Sequence, residues 1–471
     1  MSRLIVISNR VTPADGEGKA GGLAVALTAA LKAYSGIWFG WSGETTEVFT
    51  GQARIREAGG VTTAVVDLEP EDVAEYYDGY ANATLWPLFH YRIDLTAYDR
   101  AFDKGYQRVN RAFAKALFPL IQPDDLIWVH DYHLIPIAEE LRALGAENPM
   151  GFFLHIPWPA HQVFTTLPRH RDLVQALFAN DLLGFQTADS VEALQGYVLE
   201  EAGGSVAADG RLACFGRKVR VKAFPIGLDF EGFQAQAASR PAIRTYDRMA
   251  AHGAFRTLIV GVERLDYSKG IDERLSGFER FLERYPDQAR QVMMLQIAPS
   301  SRETVEAYQD LRDRIAARVG DINSRYADVD WAPIRYVNRG YTRAELAGVY
   351  RACKVGIVTP LRDGMNLVAK EYVAAQDPND PGVLILSRFA GAAAQLSEAL
   401  IVNPYDPDNI ADALHRAIDM PLDERRDRHA ALLENVRTQD VRWWRDDFVE
   451  TLKSEGASAL EGPEPSGAAD A

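Results

Sequence analysis

Along the chain, short apolar runs alternate with longer stretches whose apolar positions recur every three or four residues. Runs at residues 4–8, 61–66, 126–130, 151–155, 182–186 and 219–225 read as strands buried on both faces. Residues 22–34, 107–120, 134–145 and 189–202 read as the helices between them. That alternation predicts an α/β domain, a doubly wound parallel sheet with helices on each side. A polar stretch, 234–249, then intervenes, and strand-like runs restart at 257–262, 292–298, 334–338, 355–359, 383–387 and 399–402. The pattern predicts two facing Rossmann-like domains, residues 1–235 and 236–438, with a ligand cleft between them. Val441, Trp444, Phe448 and Leu452 mark an amphipathic helix over 439–453, and the Gly/Ala/Pro/Glu-rich residues 454–471 are expected to be disordered.

Composition narrows the function. The 51 Lys+Arg against 66 Asp+Glu give a net charge of −15, which disfavours nucleic acid and anionic membrane as partners. An anionic small molecule would need a local basic cluster. Cys214 and Cys353 are the only cysteines, too few for a disulfide scaffold, and residues 4–7 are too short an apolar run for a signal peptide. Both points argue for the cytoplasm. No apolar run reaches the roughly 18 residues that a membrane span needs.

Three sites supply the basic focus. Arg264 and Lys269 in ERLDYSKG follow the 257–262 strand, where paired cations are costly unless an anion such as a diphosphate compensates them. Arg302, after the next strand, is a third cation in the equivalent place, and Arg10 follows the first strand in SNR. The glycine-rich stretch 16–22 lets backbone approach a phosphate or sugar, although its spacing is not that of a dinucleotide fingerprint. In TPLRDGMNLVAKEYVAAQ a loop with Asp363 and Gly364 leads to a helix near Asn366, whose free N–H groups at Leu367, Val368 and Ala369 would face an anion. Glu371, one turn on and beside Lys370, fits the acceptor of a ribose diol.

Other residues fit a sugar. Asp131, at a strand end in WVHDYHL, reads as an acceptor for hydroxyls, and His155 in GFFLHIPWP as a hydrogen-bond partner of a hexose. Tyr76, Tyr77, Trp86 and Phe89 crowd one stretch, where aromatic faces stack on sugars or pack a core. His130 and His133 lack the usual zinc spacing, and Asp328-Val329-Asp330 is poorly placed for a nucleotide-sugar metal, so no metal is expected.

SNR, GGLA, WFGWSGE, YYDGYANATLWPLFHY, WVHDYHL, GFFLHIP, VERLDYSKG, QIAPSSR and TPLRDGMNLVAKEYVAAQ together resemble the trehalose-6-phosphate synthases, from residue 3 to about 452. The resemblance implies a retaining glycosyltransferase of GT-B architecture. It would move glucose from a nucleoside diphosphate glucose, UDP-glucose by default with ADP- or GDP-glucose as alternatives, to glucose 6-phosphate. By matching position it implies acceptor roles for Arg10, Tyr77, Trp86, Asp131 and Arg302. Donor roles fall on Gly22, Leu23, His155, Arg264, Lys269, Tyr341, Asp363 and on Leu367, Val368, Ala369, Lys370 and Glu371. His155, Arg264, Lys269 and Asp363 would surround the reacting atoms, with no cofactor and no metal. It also implies that the helix at 439–453 crosses back onto the first domain, and it is compatible with a dimer or tetramer. The sequence departs from the family at Ala160-His161-Gln162, where a glutamate is usual. Alternatives are a related GT-B synthase with another acceptor, such as glycerol 3-phosphate, and a catalytically silent sugar-phosphate sensor.

Overall fold

The computed structural model describes residues 3–11, 27–28, 31, 34–58, 60–252, 256–300 and 306–460. The first half contributes β1 (Leu4–Arg10), β2 (Ile37–Thr45), β3 (Arg54–Ala58), β4 (Val61–Leu68), β5 (Leu126–His130), β6 (Met150–Phe153), β7 (Leu182–Phe185), β8 (Ser205–Val206), β9 (Leu212–Cys214) and β10 (Arg217–Ala223). Among the described residues they form one sheet in the order β3-β4-β2-β1-β5-β6-β7-β10-β9-β8. Its interior is parallel, with Ile5 of β1 between Ile37 and Ile127, and its margins are closed by antiparallel β3, β9 and β8.

The second half is all parallel: β11 (Thr257–Val262), β12 (Val292–Ile297), β13 (Ile334–Val337), β14 (Val355–Val358), β15 (Val383–Ser387) and β16 (Leu400–Val402), in the order β13-β12-β11-β14-β15-β16. Both sheets reverse strand order at their first strand, β1 and β11. In such sheets ligands sit beyond the carboxyl ends at that switch point. Arg10 and Arg264 lie there.

Helices depart from expectation in instructive ways. The aromatic stretch is a π-helix, Val73–Leu85, continued by Trp86–Phe89. The helix expected from 107 begins at Arg100, where Asp99 caps it by accepting from the Ala101 N–H (2.7 Å). The polar stretch 234–249 falls in two helices, Phe230–Ala237 and Arg240–His252, which pack on helix Arg343–Ala352 of the second half. Chain from Phe230 onward therefore packs with the second half, ahead of the expected junction after 235.

The last helix runs Val441–Leu460, past the expected end at 453. Trp444 and Phe448 pack on Trp128 of β5 (ring centroids 4.9 and 4.5 Å), so this helix lies on the first half. Gly151 and Gly184 leave the slot for the Phe448 ring, since a Cβ on either would come within 2.8 Å of it. Beyond 453, Glu455 is buried against Arg211 (2.7 Å) and Arg220 (3.0 Å), which orders what composition alone marked as tail. Residues 461–471 lie outside the described residues.

Candidate active site

Four strand ends, two from each half, converge on one seam. In the second half, β11 runs into Glu263-Arg264 and a tight 3₁₀ turn, Tyr267–Lys269. Asp266 shapes that turn. Its Oδ1 accepts from the Ser268 N–H (2.9 Å) and hydroxyl (2.8 Å), and its Oδ2 from the Tyr308 hydroxyl (2.9 Å). The Lys269 ammonium donates to Asp363 Oδ2 (2.6 Å), and the Asn366 amide donates to the same oxygen (3.0 Å). The loop after β14 is thereby tied to the turn after β11.

Beneath them lies a residue that the sequence reading missed. Arg274 is fully buried, paired with Glu263, and donates to Gln296 Oε1 (2.9 Å), Thr359 Oγ1 (3.0 Å) and the Lys269 carbonyl (3.4 Å). Its signal was faint: an arginine among Ile271, Leu275 and Phe278 on the apolar face of helix Ile271–Arg284.

Helix Leu367–Ala375 starts at Asn366, which takes a left-handed conformation (φ 87°). Its side-chain oxygen accepts from the Ala369 N–H (3.2 Å). This corrects one expectation: of the three N–H groups read as free, Ala369's is already used, leaving Leu367 and Val368. Lys370 also differs. Its buried ammonium reaches the Ile226 carbonyl (2.8 Å) and Gln395 (2.7 Å), and burial pushes its pKa down to about 7. The side chain braces the passage between halves rather than presenting a charge to a ligand. The Glu371 carboxylate meets Arg343 (3.3 Å), with burial raising its pKa against the lowering pull of that guanidinium. Tyr341 lies just before helix Arg343–Ala352, its hydroxyl accepting from Arg339 (3.1 Å).

In the first half, β5 ends at His130 and is followed by Asp131, held at φ 77°, a region rare for a side-chain-bearing residue. Its Oδ1 accepts from the His155 N–H (3.2 Å). His155 Nε2 meets His130 Nδ1 (3.0 Å), and Trp444 of the last helix flanks the ring at 6.1 Å. Burial lowers both imidazoles, His155 to about 3, so each is neutral near pH 7 and one ring nitrogen donates to the other. Arg10 sits over Trp41 (5.0 Å), Trp41 edges Tyr77 (5.6 Å), and Tyr77 stacks on His133 (5.9 Å).

Two of the contacts between the halves frame the seam. The Arg264 guanidinium lies 5.7 Å from the Trp86 ring centroid. A Cβ on Gly364 would fall 2.0 Å from the His155 carbonyl oxygen, so only glycine lets the Asp363 loop come this close. The structure thus gathers His155, Asp131, Trp86, Arg264, Lys269, Asp363 and Leu367 along one seam. Gly22, Leu23 and Arg302 lie outside the described residues. No group of three or more His, Cys, Asp or Glu suited to a metal occurs among the described residues.

Two facing Rossmann-like halves with cationic strand ends at their seam define a glycosyltransferase of the GT-B architecture. Residues 6–454 match the model of glycosyltransferase family 20. A trehalose-6-phosphate synthase of Cronobacter sakazakii is 47% identical over 96% of this chain and 95% of its own length. A Burkholderia xenovorans α,α-trehalose-phosphate synthase (UDP-forming), solved in complex with glucose 6-phosphate, is 51% identical over 96% of this chain and 100% of its own, with a TM-score of 0.91. An E. coli structure bound with UDP-2-fluoro glucose is 45% identical over 96% and 99%, with a TM-score of 0.92. The chain belongs to glycosyltransferase family 20, as an enzyme of trehalose biosynthesis.

Proposed function

We propose that the chain transfers glucose from UDP-glucose to glucose 6-phosphate with retention, giving α,α-trehalose 6-phosphate and UDP. The observation that carries the reading is the Lys269–Asp363 pair (2.6 Å) set against the His155 strand end. A cation for a diphosphate there adjoins a neutral group for a hexose. The Burkholderia xenovorans relative binds glucose 6-phosphate and the E. coli relative a UDP-2-fluoro glucose, which supports this acceptor and this base.

In the reaction the bond between C1 of the donor glucose and the diphosphate oxygen breaks. The bond from C1 to the acceptor's anomeric oxygen forms on the same face, and the departing phosphate oxygen takes that hydroxyl's proton. Arg264, Lys269 and the N–H groups of Leu367 and Val368 stabilise the charge developing on the diphosphate, which is preorganised charge stabilisation. His155, neutral because burial holds its pKa at about 3, exchanges hydrogen bonds with the hexose without adding a charge beside an oxocarbenium-like carbon. Asp131 accepts from sugar hydroxyls and Glu371 from the ribose diol. Arg10, Tyr77 and Arg302 hold the acceptor phosphate, while Gly22 and Leu23 contribute backbone to the donor. Asp363 holds Lys269 in register. This reading uses fixed cations in place of a metal and is that of a cytoplasmic enzyme.

The test is a donor and acceptor panel: UDP-, ADP- and GDP-glucose against glucose 6-phosphate and glycerol 3-phosphate, with nucleotide release and the anomeric configuration of the product followed by NMR. UDP release with an α,α-linked product only from UDP-glucose plus glucose 6-phosphate is expected. Ligand binding without release from any pair overturns the reading.

A further inference from the structure

A cavity of about 380 Å³ lies between the halves behind the Asp363–Gly364 loop. Apart from that loop, its walls are residues that glucosyl transfer does not use: Tyr91, Trp158, Thr187 and Asp189 from the first half, Arg362, Arg388 and Phe389 from the second. Its volume is in the range of small-molecule sites.

Its charges are unlike the paired cations beside the neighbouring seam. Lys269, Arg274 and Arg343 each face a carboxylate. Arg362 and Arg388 have no such ion pair among the described residues. Their guanidinium carbons lie 4.9 and 5.7 Å from the same Phe389 ring centroid, and Arg362 is also 4.0 Å from that of Tyr91. Two cations stacked beside one ring repel each other unless an anion joins them. The opposite wall is polar. The Tyr91 hydroxyl accepts from the Ala160 N–H (2.9 Å), which leaves its own proton to give. The Thr187 hydroxyl makes only a long bond to Ser190 (3.4 Å), and Asp189 supplies an exposed carboxylate.

We propose that this cavity is a second ligand site, for a phosphorylated polyol. Its phosphate joins Arg362 and Arg388, with the planar donor geometry that guanidinium offers phosphate. Its hydroxyls meet Asp189, Thr187 and the Tyr91 hydroxyl. Such a ligand bears on the catalytic loop, because the Asp363 N–H donates to the Phe389 carbonyl and the Gly391 N–H to the Asp363 carbonyl, both at 3.1 Å. By bridging the halves it favours the juxtaposition of Gly364 with His155, and by linkage it tightens donor binding. This coupling rests on the proposed donor site; the occupancy of the cavity does not.

The experiment is equilibrium titration of the full chain with glycerol 2-phosphate, and separately with inorganic phosphate and with glycerol. It is made on the wild type, Arg388→Ala and Arg10→Ala, with melting temperature and basal glucosyl transfer as controls. Glycerol 2-phosphate is expected to bind more tightly than inorganic phosphate. Arg388→Ala should weaken it by at least about tenfold, the loss of a charge-assisted hydrogen bond, while folding and basal transfer stay unchanged. Arg10→Ala should leave it unaltered. Binding that follows Arg10, that ignores Arg388, or that is absent from the wild type overturns the site. Equal affinity for inorganic phosphate removes the polyol. Unchanged UDP affinity at saturating glycerol 2-phosphate removes the coupling, whereas absent transfer with intact binding refutes only the proposed reaction.

Discussion

The Lys269 ammonium and the Asp363 carboxylate, 94 residues apart in sequence, meet at 2.6 Å and join the turn after β11 to the loop after β14. Both side chains are largely shielded, at 12% and 14% exposure, so the pair is not a screened surface contact. The cation is placed before any ligand arrives. Lys269→Ala should lower kcat/KM by on the order of 10²-fold or more, as loss of a preorganised charge does, and Arg264→Ala should do likewise. Because Asp363 acts through Lys269, the Lys269→Ala/Asp363→Asn double variant should be little worse than the poorer single one. Steady-state kinetics of the three Lys269 and Asp363 variants decides it, and fully multiplicative losses would show independent roles.

Arg274 governs stability as well as placement. Arg274→Met leaves the Glu263 carboxylate buried without its counter-charge, still accepting from Gln296 Nε2 (2.7 Å), and strips Gln296 Oε1 of its donor; breaking such a pair from one side costs about 3–5 kcal/mol. Glu263→Gln added to it removes the stranded charge and should recover a large part of that loss. Urea unfolding of the single and double variants measures this. A double variant no more stable than Arg274→Met would mean that Glu263 is not the stranded group. Since Arg274 also donates to the Lys269 carbonyl, the rescued protein should still show reduced kcat/KM.

What the sequence disclosed follows from where its signals come from. Strands buried on both faces announce themselves as apolar runs, and β5, β11 and β15 match their expected bounds. The margins do not. Arg54–Ala58 is an edge strand with exposed charges and an exposed Ile55, so no apolar run marks it. Cationic strand ends stood out because charge at a buried position asks for a partner. For Lys269 that partner includes Asp363 of this same chain, which no local pattern discloses. Arg274 hid inside an amphipathic helix for the same reason: its carboxylate lies on another element. The direction of the Lys370 side chain was equally illegible, since Ile226 approaches only through the folded passage between halves.

Acid should destabilise the fold through buried imidazoles. Burial lowers His155 to about 3 and His90 to about 4, against about 6.5 in the unfolded chain. Between those values the unfolded chain binds protons that the folded one refuses. This contribution is therefore complete above about pH 6.5 and is lost as pH falls through the window toward 4 and then 3, by up to about 1.4 kcal/mol per pH unit for each group. His90 accepts no catalytic role here, so His90→Gln isolates the effect. Unfolding free energies at pH 7.5 and pH 5 should fall less steeply in His90→Gln than in the wild type. Parallel pH dependences would place the acid sensitivity elsewhere.

Gly364 is where the two halves depend most on a missing side chain. A methyl there would lie 2.0 Å from the His155 carbonyl oxygen, an overlap that neither backbone can absorb without moving. Gly364→Ala must therefore push the Asp363 loop away from the β6 end, separating Lys269 from the hexose side of the seam. Misplacement of about 1 Å in a reacting geometry costs on the order of 10²-fold, so kcat/KM should fall by about that much. The Glu371–Arg343 contact (3.3 Å) lies a turn into the Leu367 helix, beyond the Asp363 loop, so UDP alone should bind within a few-fold of the wild type. Melting temperature should change little, because the strain relaxes by opening the seam rather than by unfolding either sheet. Kinetics, UDP titration and thermal unfolding of this one variant give the three readings. Normal turnover would mean that contact between the Asp363 loop and the His155 strand end is not needed for the reaction.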